Sequence, residues 1–546
     1  AYTEYSHSLA SGHNFKGMFG FQSEMMRKSA FGLQRDGIII PSLPSVDLTT
    51  GTDSNGGMVT PAVNGEYQRW TTAGFFGRIN YDFNGKYLAE VNLRYDGTSR
   101  YRQEQRWNLF PSFSLGWNIA REQFWETLAD YVGTLKLRGS YGELGNQNTS
   151  SWYPTYQIMD VKANNGSWLI NGAKPNTALA PGLISSLLTW ERVKSWNIGL
   201  DIGAFNNRLT SSFDYYTRNT LDMVGPAPEL PVSLGTAVPK ANNTDLRTYG
   251  FDFEIAWTDR LKNGLGYGLK FILSDSQTKI TRYPNTTGRL DTYRTGQMMG
   301  EIWGYTTLGI AKSQEEMDTY LASLPNGGQD ALGNKWEAGD IMFADINGDG
   351  KIDNGANTLN SHGDLKKIGN STPRYQFGID LNADWKGFDF RAFFQGIMKR
   401  DYFQGSYFFW GATGNQWAST GFVQHEDYFR LSADHPLGQN LDSYYPRPNF
   451  GNGKNLQTQT RYLQHASYIR LKNLQIGYTL PNSLTERIHI SKLRFYISGE
   501  NLWTGTRMSK IFDPETIDGG WKNGDSYSGS VYPLSKTISL GLSVNL

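Results

Sequence analysis

The chain has 546 residues, and its 52 basic and 51 acidic side chains give a formal net charge of only +1 at pH 7, which excludes a nucleic-acid partner held by a basic surface. The absence of cysteine excludes disulfides, thiolate metal sites and thiol nucleophiles. The mean hydropathy is -0.51, and no run of about 18 apolar residues is present, which excludes a membrane-spanning helix.

Alternation of apolar and polar residues predicts a series of antiparallel strand pairs from the N terminus onward. The first pair is joined at Ser11-Gly12, and the second turns at Asn84-Gly85, which is a strong hairpin signal. The pattern continues to the C terminus, so we predict seven pairs and one further strand, fifteen strands in all. The other short links lie at 121–131, 206–207, 262–264, 386–387 and 481–490.

The strands divide their side chains between an apolar and a polar face. In the second pair, Arg78, Asn80 and Asp82 lie on the face opposite Phe75 and Ile79. An Arg at the centre of a membrane costs about 2–4 kcal/mol when it faces lipid, so the polar face is expected to line a wet interior. The last strand alternates in the same way to the C terminus, and about ten such residues suit a tilted strand crossing ~25 Å of hydrocarbon. An all-β, transmembrane antiparallel β-barrel in the outer membrane of a Gram-negative bacterium is therefore predicted.

Long connections alternate with the short turns. Because consecutive antiparallel strands reverse direction, all the long connections are expected at one rim, which is extracellular in an outer-membrane barrel. A compact soluble domain rarely has so many long loops. The predicted extracellular loops are residues 30–65, 145–190, 218–248, 284–370, 399–465 and 505–535.

An odd number of strands has a consequence for the assembly. The last strand of an antiparallel barrel must pair antiparallel with the first, which requires an even total in a single bacterial chain. We therefore expect residues 1–546 to be the C-terminal part of a larger barrel, whose remaining strands lie on another segment or chain. A complete sixteen-stranded porin is the alternative if one strand has been missed.

Seven stretches carry a recognisable pattern: residues 94–100 (RYDGTSR), 139–146 (GSYGELGN), 345–353 (DINGDGKID), 368–375 (IGNSTPRY), 445–448 (YPRP), 460–473 (TRYLQHASYIRLKN) and 496–503 (YISGENLW). They resemble the SusC/RagA branch of TonB-dependent outer-membrane transporters, and the likeness extends over nearly the whole chain in family order. The resemblance implies about 15 strands of a 22-stranded barrel, a plug domain that is absent from this chain, and a TonB-binding segment that is also absent. It implies a SusD-like lipoprotein as a lid over the mouth.

The function that this resemblance implies is nutrient import. Oligosaccharides are favoured as cargo over the peptides of the RagA type, because the loops are rich in aromatic rings and glycan uptake is the commoner role in the family. A passive porin or adhesin without energy coupling is the alternative from another class. No enzyme is expected, since the seven histidines show neither HExxH spacing nor a nucleophile-elbow motif near them.

Residues 345–353 have the spacing of a calcium-binding loop, with Gly350 at the position of the sharp turn. Ala356 replaces the usual acid at position twelve, so an acid further along is expected to complete the set. The alternative is a plain turn with solvated carboxylates. The predicted ligands of a structural Ca²⁺ are the side chains of Asp345, Asn347, Asp349, Asp353 and Asp364 and the carbonyl of Lys351.

The connection 399–465 carries many aromatic rings. Flat rings pack against sugar rings and also against partner proteins, so this loop is predicted to contact the substrate or the lid. Burial within the loop or the barrel wall is the alternative for any one ring. The predicted contacts are Tyr407, Phe408, Trp410, Trp417, Tyr428 and Tyr444.

Overall fold

A computed structural model describes residues 1–149, 151–178, 180–227, 238–411, 421–450, 453–486, 489–517 and 534–545. Its main feature is a 15-stranded sheet in which each strand lies beside its neighbours in chain order. Paired strands run antiparallel, as in the first hairpin, where Tyr5 lies opposite Gly17. The predicted count of fifteen strands is confirmed.

The strands of the large sheet are joined by short turns at one end and by long connections at the other. In chain order the strands are β1 Tyr2–Ser8, β2 His13–Gln34, β3 Ala62–Phe83, β4 Tyr87–Thr98, β5 Trp107–Asn118, β6 Val132–Asn146, β7 Val161–Lys162, β8 Thr177–Ala178, β9 Glu191–Ala204, β10 Leu209–Gly225, β11 Ala241–Arg260, β12 Gly266–Arg282, β13 Glu301–Gly304, β14 Thr307–Ile310, β15 Ile341–Phe343, β16 Lys366–Asn370, β17 Arg374–Trp385, β18 Phe388–Lys399, β19 Asp401–Phe403, β20 Leu463–His465, β21 Tyr468–Thr479, β22 Lys492–Thr506 and β23 Thr537–Asn545. Strands β7 and β8, β13 and β16, β14 and β15, and β19 and β20 form separate two-stranded sheets within the long connections.

The helices are short and lie in the connections. They are α1 Gln314–Ala322, α2 Tyr407–Trp410 and α3 Asn482–Thr485. Single 3₁₀ turns cover Gln103–Gln105, Ile119–Arg121, Gln123–Leu128, Val423–Glu426 and Lys454–Leu456. None of the described helices has the length and apolar character needed to cross a membrane.

The register pairs apolar side chains with apolar ones, and polar side chains with polar ones, across neighbouring strands. Ile497 of β22 lies opposite Leu540 of β23, and Leu540 is 84% exposed. In β3 and β4, Ile79 lies opposite Val91, whereas the polar pair Asn80 and Glu90 points to the other face. The predicted division into an apolar and a polar face is therefore present in the paired strands.

The ends of some strands differ from the sequence prediction. Strand β10 continues to Gly225 and β11 begins at Ala241, so the connection predicted at 218–248 is reduced to 226–240. The backbone ladder does not need an apolar face to continue, and polar residues such as Asn219 and Asn243 extend it. Alternation of apolar residues thus locates the membrane-facing part of a strand but not its end.

Contacts divide the chain into two compact units. The first unit consists of 1–115, 140–195 and 220–244, and it has a small core of Tyr101, Phe110 and Trp190. The second unit consists of 116–139, 196–219 and 245–546. Its largest core lies outside the sheet, in the long connections.

Candidate functional site in the long loops

Three segments of the second unit pack into one hydrophobic cluster, which we call the loop core. They are the connections 283–373 and 400–467 and the segment 507–517. Because side chains from all three are buried together, these segments form a folded layer rather than separate loops. The buried members include Tyr305, Ile310, Met317, Trp336, Ile341, Phe343, Ile352, Tyr402, Phe409, Trp410, Phe429, Tyr445, Tyr462, Met508, Phe512 and Ile517.

Helix α1 is tied to the loop core by polar side chains at both of its ends. The Ser313 hydroxyl accepts a hydrogen bond from the Glu316 amide at 3.1 Å and caps the helix N terminus. Near the C terminus, the Tyr320 hydroxyl donates to the Phe343 carbonyl at 2.6 Å. Gln329, which is fully buried, donates to the Ile341 carbonyl at 3.0 Å. The backbone of β15 thus has partners although it lies within a core.

A buried ion pair joins the first two segments of the loop core. The Lys454 ammonium lies 2.6 Å from Asp340, and both side chains are fully buried. Arg447 and Asn455 each donate to the other carboxylate oxygen at 2.9 Å. The ammonium also donates to two backbone carbonyls and lies 4.8 Å from the centre of the Trp336 ring. The charges are therefore compensated within the core, as buried ions require.

A second ionic cluster fixes the segment 507–517 to the sheet. Arg470 of β21, which is 3% exposed, donates to both carboxylate oxygens of Asp513 at 2.7 Å. It also donates to Glu515 at 2.6 Å, and Lys472 lies 2.9 Å from the same carboxylate. Charge-assisted bonds from two guanidinium nitrogens, Nη2 to Asp513 and Nη1 to Glu515, hold the segment in one position over the end of the strand.

Four of the six aromatic residues predicted as contact sites have described side chains, and all four lie in or against the loop core. Trp410 is only 4% exposed and packs edge-on against Tyr462 at 4.6 Å, so the structure places it in the loop core rather than at a contact surface. Its burial is explained by the core that the other two segments complete around α2. Phe408, Tyr428 and Tyr444 are partly buried against the same core.

The two remaining predicted rings are not located. Tyr407 begins α2, but its side chain lies outside what the structure describes, and Trp417 lies outside the described residues altogether. Exposed rings that the prediction did not single out include Phe422 at 37% and Phe450 at 54%. The aromatic residues of the connection 400–467 therefore mainly form the loop core, and some of them are exposed at the surface.

A histidine links α2 to the following chain. His425 Nδ1 accepts a hydrogen bond from the Phe422 amide at 3.0 Å, which leaves the proton on Nε2 to donate to the Phe409 carbonyl at 3.0 Å. Burial lowers the pKa of His425 below its ordinary value. The neutral ring is thus the form that this packing favours.

The predicted calcium loop forms a tight turn closed by its own side chains. Both carboxylate oxygens of Asp345 accept backbone hydrogen bonds, from Gly348 at 2.6 Å and from Gly350 at 2.8 Å. Asn347 accepts from the Asp349 amide at 3.0 Å, and Asp349 accepts from the Lys351 amide at 3.2 Å. These bonds are those of a chain of Asx turns.

The last two predicted ligands close the base of the same loop. Asp364 is fully buried and accepts from the amides of Ile346 at 2.7 Å and Asp353 at 2.9 Å, and burial raises its pKa. The Lys351 ammonium lies 2.6 Å from Asp353. The oxygen donors suit a hard cation, although no three acidic or histidine side chains converge as a metal-binding group in the described part of the chain. Calcium at this loop stays a prediction.

Ion pairs also follow the polar face of the sheet. Arg138 of β6 lies between two carboxylates, 2.6 Å from Asp214 and 3.1 Å from Asp201. Arg391 of β18 lies 2.5 Å from Asp380 of β17. A surface of this kind is wettable and carries both signs of charge, which suits the lining of a passage for polar solutes.

Comparison with known proteins decides the family. The model of the family described as "TonB dependent receptor-like, beta-barrel" matches residues 2–502. The chain belongs to this TonB-dependent receptor family. Its members are outer-membrane transporters rather than enzymes, so the chain is part of an outer-membrane β-barrel, as the sequence predicted.

The relatives support the branch of the family that the motifs suggested. TonB-dependent receptor P3 of Formosa agariphila is 28% identical over 90% of this chain and 47% of its own length. TonB-dependent receptor SusC of Bacteroides thetaiotaomicron is 26% identical over 87% of this chain and 44% of its own length. The chain thus spans about half the length of the curated relatives it matches.

Solved structures agree on the fold. The structure of the RagAB peptide transporter aligns with 100% of this chain and 54% of its own chain, at a TM-score of 0.73 and 23% identity. The RagAB peptide importer in its closed-closed state aligns at a TM-score of 0.75 and 21% identity. At these identities the match establishes the fold of the TonB-dependent receptor chain.

Sequence reasoning missed the ionic residues that hold the loop core together. Asp340 and Lys454 lie more than a hundred positions apart, and neither stands in a motif. Arg470 lies within a stretch that resembles the family, but its partners Asp513 and Glu515 lie in a connection without recognisable pattern. Contacts between distant loops leave no periodic signal in one sequence.

Proposed function

We propose that this protein is the C-terminal part of an outer-membrane importer that takes up oligosaccharides, with energy coupled through TonB. A SusD-like surface lipoprotein is proposed to close over the long loops as a lid. The remaining strands, the plug and the TonB-binding segment are proposed to lie on another segment or chain. The observation that carries the proposal is the loop core, a folded layer built on the long-loop end of a transporter barrel.

The loop core supports a lid-covered mouth for a physical reason. A partner that opens and closes needs a surface that keeps its shape, and buried packing with paired charges supplies such rigidity. The pair Asp340–Lys454 joins the connections 283–373 and 400–467, and the pair Arg470–Asp513 fixes the segment 507–517 to β21. A passive porin does not require a preformed docking layer of this extent.

Oligosaccharide is proposed as cargo from the chemistry of the exposed surface. Rings such as Phe422 and Phe450 are exposed on this connection and match the apolar faces of sugars. Charged and amide side chains of the polar face offer planar hydrogen-bonding groups to sugar hydroxyls. The name of the SusC relative and those of the RagAB structures do not decide between glycan and peptide for this chain.

The test uses the full-length protein in its native cells. A strain that lacks the protein is complemented with it, and uptake of fluorescent oligosaccharide and peptide panels is measured with and without a functional TonB. We expect oligosaccharide uptake that depends on both, and co-purification of a lipid-anchored protein. Uptake without TonB would support a passive porin, and uptake of peptides alone would support the RagA type.

A further inference from the structure

The apolar face of the second unit carries a polar-rimmed groove of about 490 Å³ across β9 to β12. Arg247 and Tyr249 follow Phe251 of β11 in steps of two, so they share its face. Lys279 of β12 lies directly opposite Arg247. The residues that line the groove are Trp196, Tyr215, Thr217, Asn219, Arg247, Tyr249 and Lys279.

The position of the groove along the strands corresponds to a membrane boundary. Trp257 lies on the same face of β11, close to the short turn after Arg260. Arg247 is ten residues away, which corresponds to about 33 Å along a strand and about 25 Å of depth at a tilt of about 40°. Trp257 and Arg247 therefore lie at opposite boundaries of the hydrocarbon layer, and the groove lies on the side of the long loops.

The rings of the groove have the composition of an interfacial aromatic girdle. Trp196 and Tyr215 pack with their ring centres 5.6 Å apart, and 37% and 40% of their surfaces are exposed. Rings with an apolar body and a polar edge prefer the headgroup level of a membrane. Lipid headgroups are thus the molecules that this face meets at this height.

The cations of the groove lack carboxylate partners among the described residues. Arg247 uses its Nε to donate to Asn219 at 2.9 Å, and no ion pair involves it or Lys279 in the described ranges. Two acidic residues on the same face, Asp245 and Asp275, form ion pairs with other cations. Asp245 lies 2.7 Å from Arg282, and Asp275 lies 2.5 Å from Arg374.

We propose that this groove binds the phosphate of a phosphorylated lipid headgroup in the outer leaflet. The free edge of the Arg247 guanidinium and the Lys279 ammonium bind the phosphate oxygens, and Thr217 supplies a hydroxyl beside them. Trp196 and Tyr215 cover the apolar part of the lipid. The site is independent of the transported cargo, because it faces the membrane rather than the passage.

The test measures lipid retention by the full-length protein. The purified protein is titrated in detergent with monophosphoryl lipid A and with the same lipid after removal of the phosphate, and bound lipid is counted by native mass spectrometry. We expect the phosphorylated lipid to bind and the dephosphorylated lipid to bind at least about tenfold more weakly, since loss of the phosphate removes the charge-assisted hydrogen bonds to Arg247 and Lys279. This comparison needs no variant, so it does not depend on how a variant folds.

Variants then locate the site. The double variant Arg247→Gln with Lys279→Gln is expected to bind the phosphorylated lipid at least about tenfold more weakly. Lys335→Gln with Lys510→Gln removes the same two charges from exposed loop positions and is expected to bind normally. The proposal would be overturned if the protein retained both lipids equally, or if the groove variant bound the phosphorylated lipid as well as the natural protein does. Competition by millimolar inorganic phosphate that is as strong as competition by the lipid would overturn the assignment to a lipid.

Discussion

The Lys454 ammonium lies 2.6 Å from the Asp340 carboxylate, and neither side chain reaches solvent. The two residues belong to different connections of the transporter, so the pair joins segments that are 114 positions apart in sequence. A charged pair in such surroundings is stable only while both partners are present, since a lone buried charge is strongly unfavourable. The loop core therefore depends on polar contacts as well as on apolar packing.

Removal of this ammonium is expected to open the loop core. Lys454→Met leaves the Asp340 carboxylate buried, with the side chains of Arg447 and Asn455 and the Glu337 amide still donating to it. We expect a loss of about 3 kcal/mol, at the lower end of the range for broken buried pairs, because Arg447 still compensates part of the charge. Hydrogen exchange of the amides at 336–343 measures the change in opening free energy.

A surface pair serves as the control for this experiment. Lys312 and Asp442 also join the two connections, but both side chains are largely exposed. Lys312→Met is expected to change the opening free energy far less than Lys454→Met does, because solvent screens such a pair. Similar losses in both variants would contradict the role given to the buried pair.

The segment 507–517 is expected to detach when its arginine anchor is lost. Arg470→Gln removes the charged contacts to Asp513 and Glu515, so we expect faster amide exchange and new protease cleavage within the segment. The loss should be about 2–3 kcal/mol for the charge-assisted bonds to this buried guanidinium. Arg391→Gln, which removes an exposed pair with Asp380, is the matched control and should leave the segment protected.

Mild acid is expected to loosen the packing around α2. Burial lowers the pKa of His425 below its ordinary value of 6.5, so the unfolded segment takes up a proton before the folded one as the pH falls. The stability that the neutral ring contributes is therefore present above the unfolded pKa and is lost as the pH falls towards the folded one. Amide exchange of residues 405–411, compared between pH 7 and pH 5, measures the effect.

Replacement of the ring should remove this pH dependence. His425→Gln keeps a donor for the Phe409 carbonyl but does not titrate, so exchange at the two pH values should differ less than in the natural protein. His435→Gln removes a histidine from the same connection and should leave the dependence in place. If both variants behave alike, the effect does not arise at His425.

Calcium is expected to stabilise the turn at residues 345–353. An ion bound only by the folded loop raises stability in proportion to the logarithm of its concentration, so added Ca²⁺ should slow exchange there and a chelator should reverse it. Asp345→Ala with Asp349→Ala should abolish the response. Asp291→Ala removes an exposed carboxylate paired with Arg289 and should leave the response to calcium unchanged. A response that survives the loss of Asp345 and Asp349 would place the ion elsewhere.

The fold was predictable because a membrane imposes a simple rule on each strand. Residues such as Leu540 and Ile79 must face lipid, and their neighbours must not, so a period of two shows both the strand and its register. The rule stops at the membrane boundary. Beyond it, β10 and β11 continue through residues without a continuous apolar face, such as Asn219 and Asn243, and their ends could not be predicted.

The candidate site was less predictable because its contacts are long-range. A sequence shows that Trp410 and Tyr428 are rings in a loop, but burial of Trp410 depends on Tyr462 and on segments elsewhere in the chain. Ring content therefore predicted an aromatic loop without separating core from surface. Arg247 and Lys279, which have no carboxylate partner among the described residues, could be recognised as a pair only when the register placed them opposite each other.

The central claim is that alternate side chains divide between lipid and a polar interior, and spin labels on β23 test it most directly. Because the chain contains no cysteine, Leu540→Cys and Ser539→Cys each give one labelling site in the described chain. In the full-length protein in membranes, lipid-soluble oxygen is expected to speed the spin relaxation of the label at position 540, whereas the label at position 539 is expected to be shielded from oxygen. Equal relaxation by oxygen at both positions, or preferential relaxation of the label at 540 by a water-soluble nickel complex, would contradict the account.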